Sequence, residues 1–103
     1  MSTQKIWDIH LKVDGPPDAG MRENMKELAE SIAKEPGVLW KIWTYEEGSN
    51  HVGSTYLFKD LEHLEKYKAM HIKRLHDIGI TDITDHVFDI MEDLSKITKA
   101  PLG

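Results

Sequence analysis

The stretch Glu35–Asp60, EPGVLWKIWTYEEGSNHVGSTYLFKD, limits what this chain can fold into more than any other. Pro36 cannot continue a helix and Gly37 lets the backbone turn, so a preceding helix has to stop there. Val38–Glu46 and Val52–Phe58 are dense in β-branched and aromatic residues and read as two strands. Between them Glu47-Gly48-Ser49-Asn50 is turn chemistry, which closes the pair into an antiparallel hairpin. Trp40 and Trp43 are separated by an odd number of positions, so they face opposite sides of a strand whose side chains alternate. Both sides of the hairpin are then expected to be covered, one by helices and the other by something else.

The flanking segments supply the helices and two more strands. Lys5–Val13 sets Trp7, Ile9, Leu11 and Val13 against Ile6, Asp8, His10 and Lys12, a strand with one apolar and one semi-polar face. Asp14-Gly15-Pro16-Pro17 breaks it. Met21, Met25, Leu28, Ala29 and Ile32 then recur at helical spacing, predicting an amphipathic helix over Ala19–Lys34 with Asp18 as its cap. After the hairpin, Asp60 caps a second helix whose inward stripe is Leu64, Tyr67, His71, Leu75 and Ile78, and Gly79 ends it. Ile83–Met91 is a fourth strand with Thr84, His86, Phe88 and Ile90 on one side and Ile83, Asp85, Val87 and Asp89 on the other. The remainder, Glu92–Gly103, is polar with Leu94, Ile97 and Leu102 as anchors. The order βαββαβ is the α+β, ferredoxin-like arrangement, here a single domain over residues 1–103. Helices cover only one face of such an antiparallel sheet, so the other face predicts a homodimer.

Charge and composition remove several function classes. The net charge is −5 and the basic residues are dispersed, which argues against nucleic acid as a partner. No apolar run reaches membrane-spanning length, and Asp8 and His10 interrupt any signal-peptide pattern, so the cytoplasm is the expected compartment. Without cysteine there are no disulfides, thiolate metal sites or cysteine nucleophiles. No His-x-x-x-His or Glu-x-x-His unit has a third ligand, so no metal is expected. Asp14–Gly20 lacks the phosphate-loop spacing, and no serine stands in a nucleophile-elbow context.

Four segments carry a likeness to a known family: LAESIAKEPGVLWKIWT, GSTYLFKD, MHIKRL and VFDIMEDLSKI. Together they resemble the YdhR-like monooxygenases over nearly the whole chain from Asp14 onward. The resemblance implies a dimeric α/β barrel related to the antibiotic-biosynthesis monooxygenases. Some of those relatives oxidise aromatic, polyketide-like molecules with dioxygen and without metal, flavin or haem. The expected activity is therefore cofactor-independent monooxygenation of a small aromatic substrate. A non-catalytic ligand-binding or dimerisation module on the same fold is the alternative. Haem degradation ranks third, because the enzymes that do it resemble a pattern with asparagine on the first strand and tryptophan on the third.

His71 is the leading candidate catalytic residue, since it takes a place in the inward stripe where a helix normally uses leucine. It coincides with the histidine of the family's H-x-x-RL run. A core histidine with one hydrogen-bond partner is its ordinary explanation. Arg74, one turn on, would hold a substrate carboxylate or enolate oxygen. Trp40, Trp43, Tyr56 and Tyr67 would stack on a flat ring, although core and interface packing also account for them. Lys41 and Thr44 are hairpin neighbours able to add polar contacts. His10 is expected to lie in a second polar cavity or the dimer interface. The whole reading requires an open space beside His71.

Overall fold

β-Branched and aromatic runs, a capped helix stripe and two glycine-assisted stops produce the βαββαβ order read from the sequence, and a short helix in the tail, not expected from the sequence, follows it. The computed structural model describes residues 3–13, 22–23 and 25–102. Strand β1 (Lys5–Lys12) is followed by helix α1 (Lys26–Ala33), strands β2 (Val38–Tyr45) and β3 (His51–Phe58), helix α2 (Leu61–Asp77), strand β4 (Ile83–Asp89) and the short helix α3 (Glu92–Ile97). The Asp18 cap and the first turn from Ala19 lie outside the described residues. The sheet order is β2-β3-β1-β4 with every neighbouring pair antiparallel, as a ferredoxin-like fold requires.

Register assigns the two faces. Trp7 lies opposite Tyr56 on one side and Val87 on the other, and Tyr56 lies opposite Lys41. Val87, Trp7, Tyr56 and Lys41 thus form one row across the sheet, on the face covered by α2. Trp7, Ile9, Tyr56 and Phe58 of that face pack with Ile32, Leu64, Tyr67 and Leu75 in the core. Trp7 is fully buried, and its indole N–H is satisfied by the Asp85 carboxylate at 2.8 Å, which also takes the Lys68 ammonium at 2.7 Å. Burying an indole without such an acceptor would cost about 1–3 kcal/mol.

The sheet has one irregularity that decides the site. Val38 pairs with Phe58 but Trp40 pairs with Leu57, so Leu39 is the extra residue of a β-bulge. Simple alternation from Val38 would send Trp40 toward the helices and Lys41 away from them. The bulge reverses this: Lys41 and Trp43 face α2, while Trp40, Ile42 and Thr44 face the open side.

The start of β2 is fixed by Gly37, which has φ +88°. A Cβ there would run into the His63 Cβ, at the root of the side chain and not at a movable tip. His63 is itself pinned, its Nδ1 2.7 Å from the Asp60 carboxylate that also accepts the His63 backbone N–H and caps α2. Gly37→Ala is therefore expected to destabilise the fold by at least about 1–2 kcal/mol from the left-handed backbone alone, with the contact adding to it. A chemical melt unchanged within error would overturn this account of the β2 entry.

Part of the open face is covered by the chain's own end. The Trp40 indole N–H donates to the Pro101 carbonyl at 2.8 Å, and Leu57 on the same face is fully buried. Leu94 and Ile97, expected as anchors, are exposed, so the tail is tied down at Pro101 instead. Beyond this cover Ile42 and Phe88 remain 53% and 49% exposed. Among the described residues no helix is long and apolar enough to cross a membrane.

Candidate active site

Tyr67, His71 and Arg74 follow each other at four- and three-residue steps, so α2 presents them as one stripe over the row Trp7–Tyr56–Lys41. The result is an aromatic box. The Tyr67 ring stacks on the His71 imidazole with centroids 5.3 Å apart, and Trp7 meets both edge-on at about 6 Å. Tyr56 lies 5.1 Å from Trp7 and shares a 3.1 Å hydrogen bond with the Tyr67 hydroxyl. Burial pushes both phenols above the usual tyrosine range, so they act as neutral hydrogen-bonding groups.

His71 is 5% exposed, and its Nδ1 accepts a hydrogen bond from the Arg74 guanidinium at 2.8 Å. An acceptor nitrogen carries no proton, so the ring is neutral when this bond is made. Burial first, then the charges of Arg74 and Lys41, bring its pKa from 6.5 down to about 3. Between those values the unfolded chain binds a proton that the folded chain refuses. The stabilisation is complete above pH 6.5 and is lost as pH falls toward about 3. Over that window His71 should make stability fall by about 1.4 kcal/mol per pH unit. Urea melts across the window should show a shallower acid slope in His71→Phe. Identical slopes would overturn the assignment of a neutral, buried imidazole.

Lys41 is the residue that sequence reasoning undervalued. Its ammonium sits 3.5 Å from the Trp43 ring centroid and 4.6 Å from that of Tyr56. Those ring faces favour the charged form. Burial and the nearby Arg74 oppose it more strongly and bring the pKa from 10.5 to about 7. The signal that could have found it was present: a lysine between two aromatic strand residues, where a valine or isoleucine would be ordinary.

Among the described residues neither Lys41 nor Arg74 is paired with a carboxylate. Arg74, a lysine whose pKa lies near neutrality and a neutral imidazole, none of them paired with a carboxylate, form a place suited to an anion. The adjoining space lies under α1, a cavity of about 180 Å³ lined by Ala29, Ile32 and Ala33 from the helix and Val38, Lys41 and Trp43 from β2. Leu39 and Trp40 complete its rim. A cavity of about 150 Å³ holds a benzene, so one aromatic ring fits here. His71 lines neither this cavity nor the second one described below, and it is packed against Trp7, Tyr67 and Arg74, so the open space required beside it is not found at either cavity; the space lies at Lys41 and Trp43 instead.

Of the predicted site residues, Trp43, Tyr56, Tyr67, His71 and Arg74 therefore share the helix-covered face. Trp40 contributes to the cavity rim, but its indole turns to the open side. His10 lies on that opposite face. Its Nδ1 is 2.8 Å from His51 Nε2 and its Nε2 is 3.0 Å from Asp8, which also accepts from Thr55 at 3.2 Å. The pair borders a cavity of about 140 Å³ with Thr44, Tyr45 and Glu46. A Cβ at Gly53 would lie 2.9 Å from His10 Nδ1, so glycine makes room for that ring. His51, just outside the strand expected over Val52–Phe58, is the first residue of β3 and is bonded to His10. Among the described residues no group of three or more His, Asp or Glu could hold a metal ion.

The family model described as "Putative mono-oxygenase ydhR" matches residues 6–101. A search of the curated proteins found no match. Among solved structures the chain is similar to SnoaB, a cofactor-independent oxygenase from Streptomyces nogalater. The TM-score is 0.66 and the identity 16%, with 87% of this chain and 95% of that one covered. It is also similar to MupZ from Pseudomonas fluorescens, with a TM-score of 0.63 and 15% identity over 94% of this chain and 76% of that one. A third likeness is to a monooxygenase of Streptomyces coelicolor, from the gene ActVA-Orf6, in complex with nanaomycin D. There the TM-score is 0.59 and the identity 15%, covering 85% and 88% of the two chains. At such identities the likeness is one of fold.

Proposed function

This chain belongs to the YdhR mono-oxygenase family, and on that premise we propose that it oxygenates a small phenolic or enolisable aromatic molecule with dioxygen and no bound cofactor. The observation that carries this reading is the carboxylate-free pair Lys41 and Arg74 at the edge of the box of Trp7, Tyr56, Tyr67 and Trp43. A phenol becomes electron-rich enough to react with dioxygen once it has lost its proton, and buried cations lower the cost of that loss. In the simplest balanced case a phenol and dioxygen give a quinone and water. One oxygen atom enters the ring and the substrate itself supplies the electrons. SnoaB, described as a cofactor-independent oxygenase, supports chemistry of this kind on the fold.

Within the proposal Arg74 acts on the substrate oxygen through its field, and His71 fixes the guanidinium through its Nδ1. An imidazole with a pKa of about 3 is a weak base, so His71 positions Arg74 and the proton goes elsewhere. Trp43 supplies a flat wall for the ring. The exposed Ile42 and Phe88 support a homodimer through the open face, which sedimentation equilibrium decides. The cytoplasm is the proposed compartment.

Oxygen consumption with a panel of single-ring and fused-ring phenols and enols tests the activity. Uptake matched by an added oxygen atom in the product is the expected result. Ligands that bind at this site without consuming oxygen, across the whole panel, would make the protein a binding module instead.

A further inference from the structure

The bulge at Leu39 turns a lysine inward beside Trp43, where the edge of the aromatic box meets an open space. We propose that Lys41 is the proton acceptor of the site: its amine takes the proton of a phenol or enol seated in the cavity under α1, and the anion stays beside the new ammonium, in the field of Arg74. This rests on the function proposed above, and adds the acceptor and the form in which the ligand is held. In the step the ligand O–H bond breaks, an N–H bond forms at Nζ, and the electron pair stays on the ligand oxygen.

Every element around Lys41 bears on the choice. From α2 come Arg74, a fixed cation that disfavours a resident ammonium, and His71, whose Nδ1 is already occupied. The Tyr67 hydroxyl is bonded to Tyr56. From β3 comes Tyr56, which burial holds in its neutral form. From β2 comes only the Trp43 ring, and from α1 the apolar Ala29, Ile32 and Ala33. Glu35, after α1, acts on Tyr67 through space, and among the described residues no ion pair joins it to Lys41. Of these groups Lys41 alone combines a pKa near neutrality, about 7, with a place on the cavity wall. A lysine kept neutral by its surroundings is also one that the fold would be more stable without.

The test is spectroscopic and needs no oxygen. At about pH 8, where the Lys41 amine is mostly uncharged, 3-nitrophenol in solution is mostly the neutral phenol and turns yellow on ionising. The wild-type protein should bind it as the yellow anion without releasing a proton to the medium. Lys41→Met should bind it as the colourless phenol, melt at a higher temperature than wild type, and turn over any substrate about 100-fold more slowly. Lys41→Arg keeps a charge but cannot accept the proton, so anion binding there should release one proton per site, read with a pH indicator. A colourless complex or no binding in wild type, a yellow complex in Lys41→Met, or equal proton release by wild type and Lys41→Arg would each overturn the assignment. A yellow wild-type complex that consumes no oxygen would leave Lys41 as the acceptor and remove the oxygenase reading.

Discussion

Replacing Trp7 with alanine should cost the fold about 3–5 kcal/mol, the range for removing a large aromatic from a packed core. The indole is fully buried in the middle of the sheet, under Tyr56, Tyr67 and His71 at centroid distances of 5.1, 6.0 and 6.1 Å. Three of its neighbours are rings tied to one another or to Arg74, so they cannot collapse into the vacated space without breaking those contacts. Asp85 would lose one donor yet keep Lys68. A domain of this size is stable by about 5–15 kcal/mol, so the variant should be near the limit of folding, with a midpoint lowered by about 15 °C or more. Trp7→Phe keeps most of the packing and loses only the N–H bond, and should fall between the two. Thermal melts followed by circular dichroism measure the series. An alanine variant within about 1 kcal/mol of wild type would mean that the box is loosely packed and the site geometry not fixed.

Arg74→Leu should reduce turnover about 100- to 1000-fold while leaving the chain folded, the usual cost of removing one preorganised group that stabilises a developing oxyanion. Stability should move little because two effects oppose each other. His71 Nδ1 loses its donor in a site that is 5% exposed, which costs about 1–3 kcal/mol. At the same time a cation that depresses both His71 and Lys41 is gone. The His71 pKa should therefore rise from about 3, and NMR titration of its ring reads that directly. Arg74→Lys keeps the charge without the planar fork, and should recover part of the rate but not the bond to His71. Turnover within threefold of wild type in Arg74→Leu would remove the guanidinium from the proposed chemistry.

Much of the architecture was legible because it rests on local rules. Pro36 and Gly37 stop a helix wherever they occur, Asp60 caps α2 as its neighbours required, and alternation in Lys5–Lys12 separated Trp7 and Ile9 from Asp8 and His10. The stripe Leu64, Tyr67, His71 and Leu75 follows from helical spacing, but its expected fifth member, Ile78, is exposed at the C-cap, where the helix has already ended. The companion residues were harder to see. His51 stands beside the turn, and the β1–β3 register pairs it with Lys12, from where its ring reaches diagonally to His10.

By itself the amino-acid order determined the strand and helix sequence, the ferredoxin-like class and the helical stripe, since each depends on residues a few positions apart. Which way β2 faces was decided only by the tertiary structure. A single bulge at Leu39, set by how β2 fits β3, exchanges the two sides of the strand, sending Trp40 to Pro101 and Lys41 to Tyr56. Burial and the field of Arg74 then act on Lys41 from residues far along the chain, and no local pattern in the sequence contains that sum.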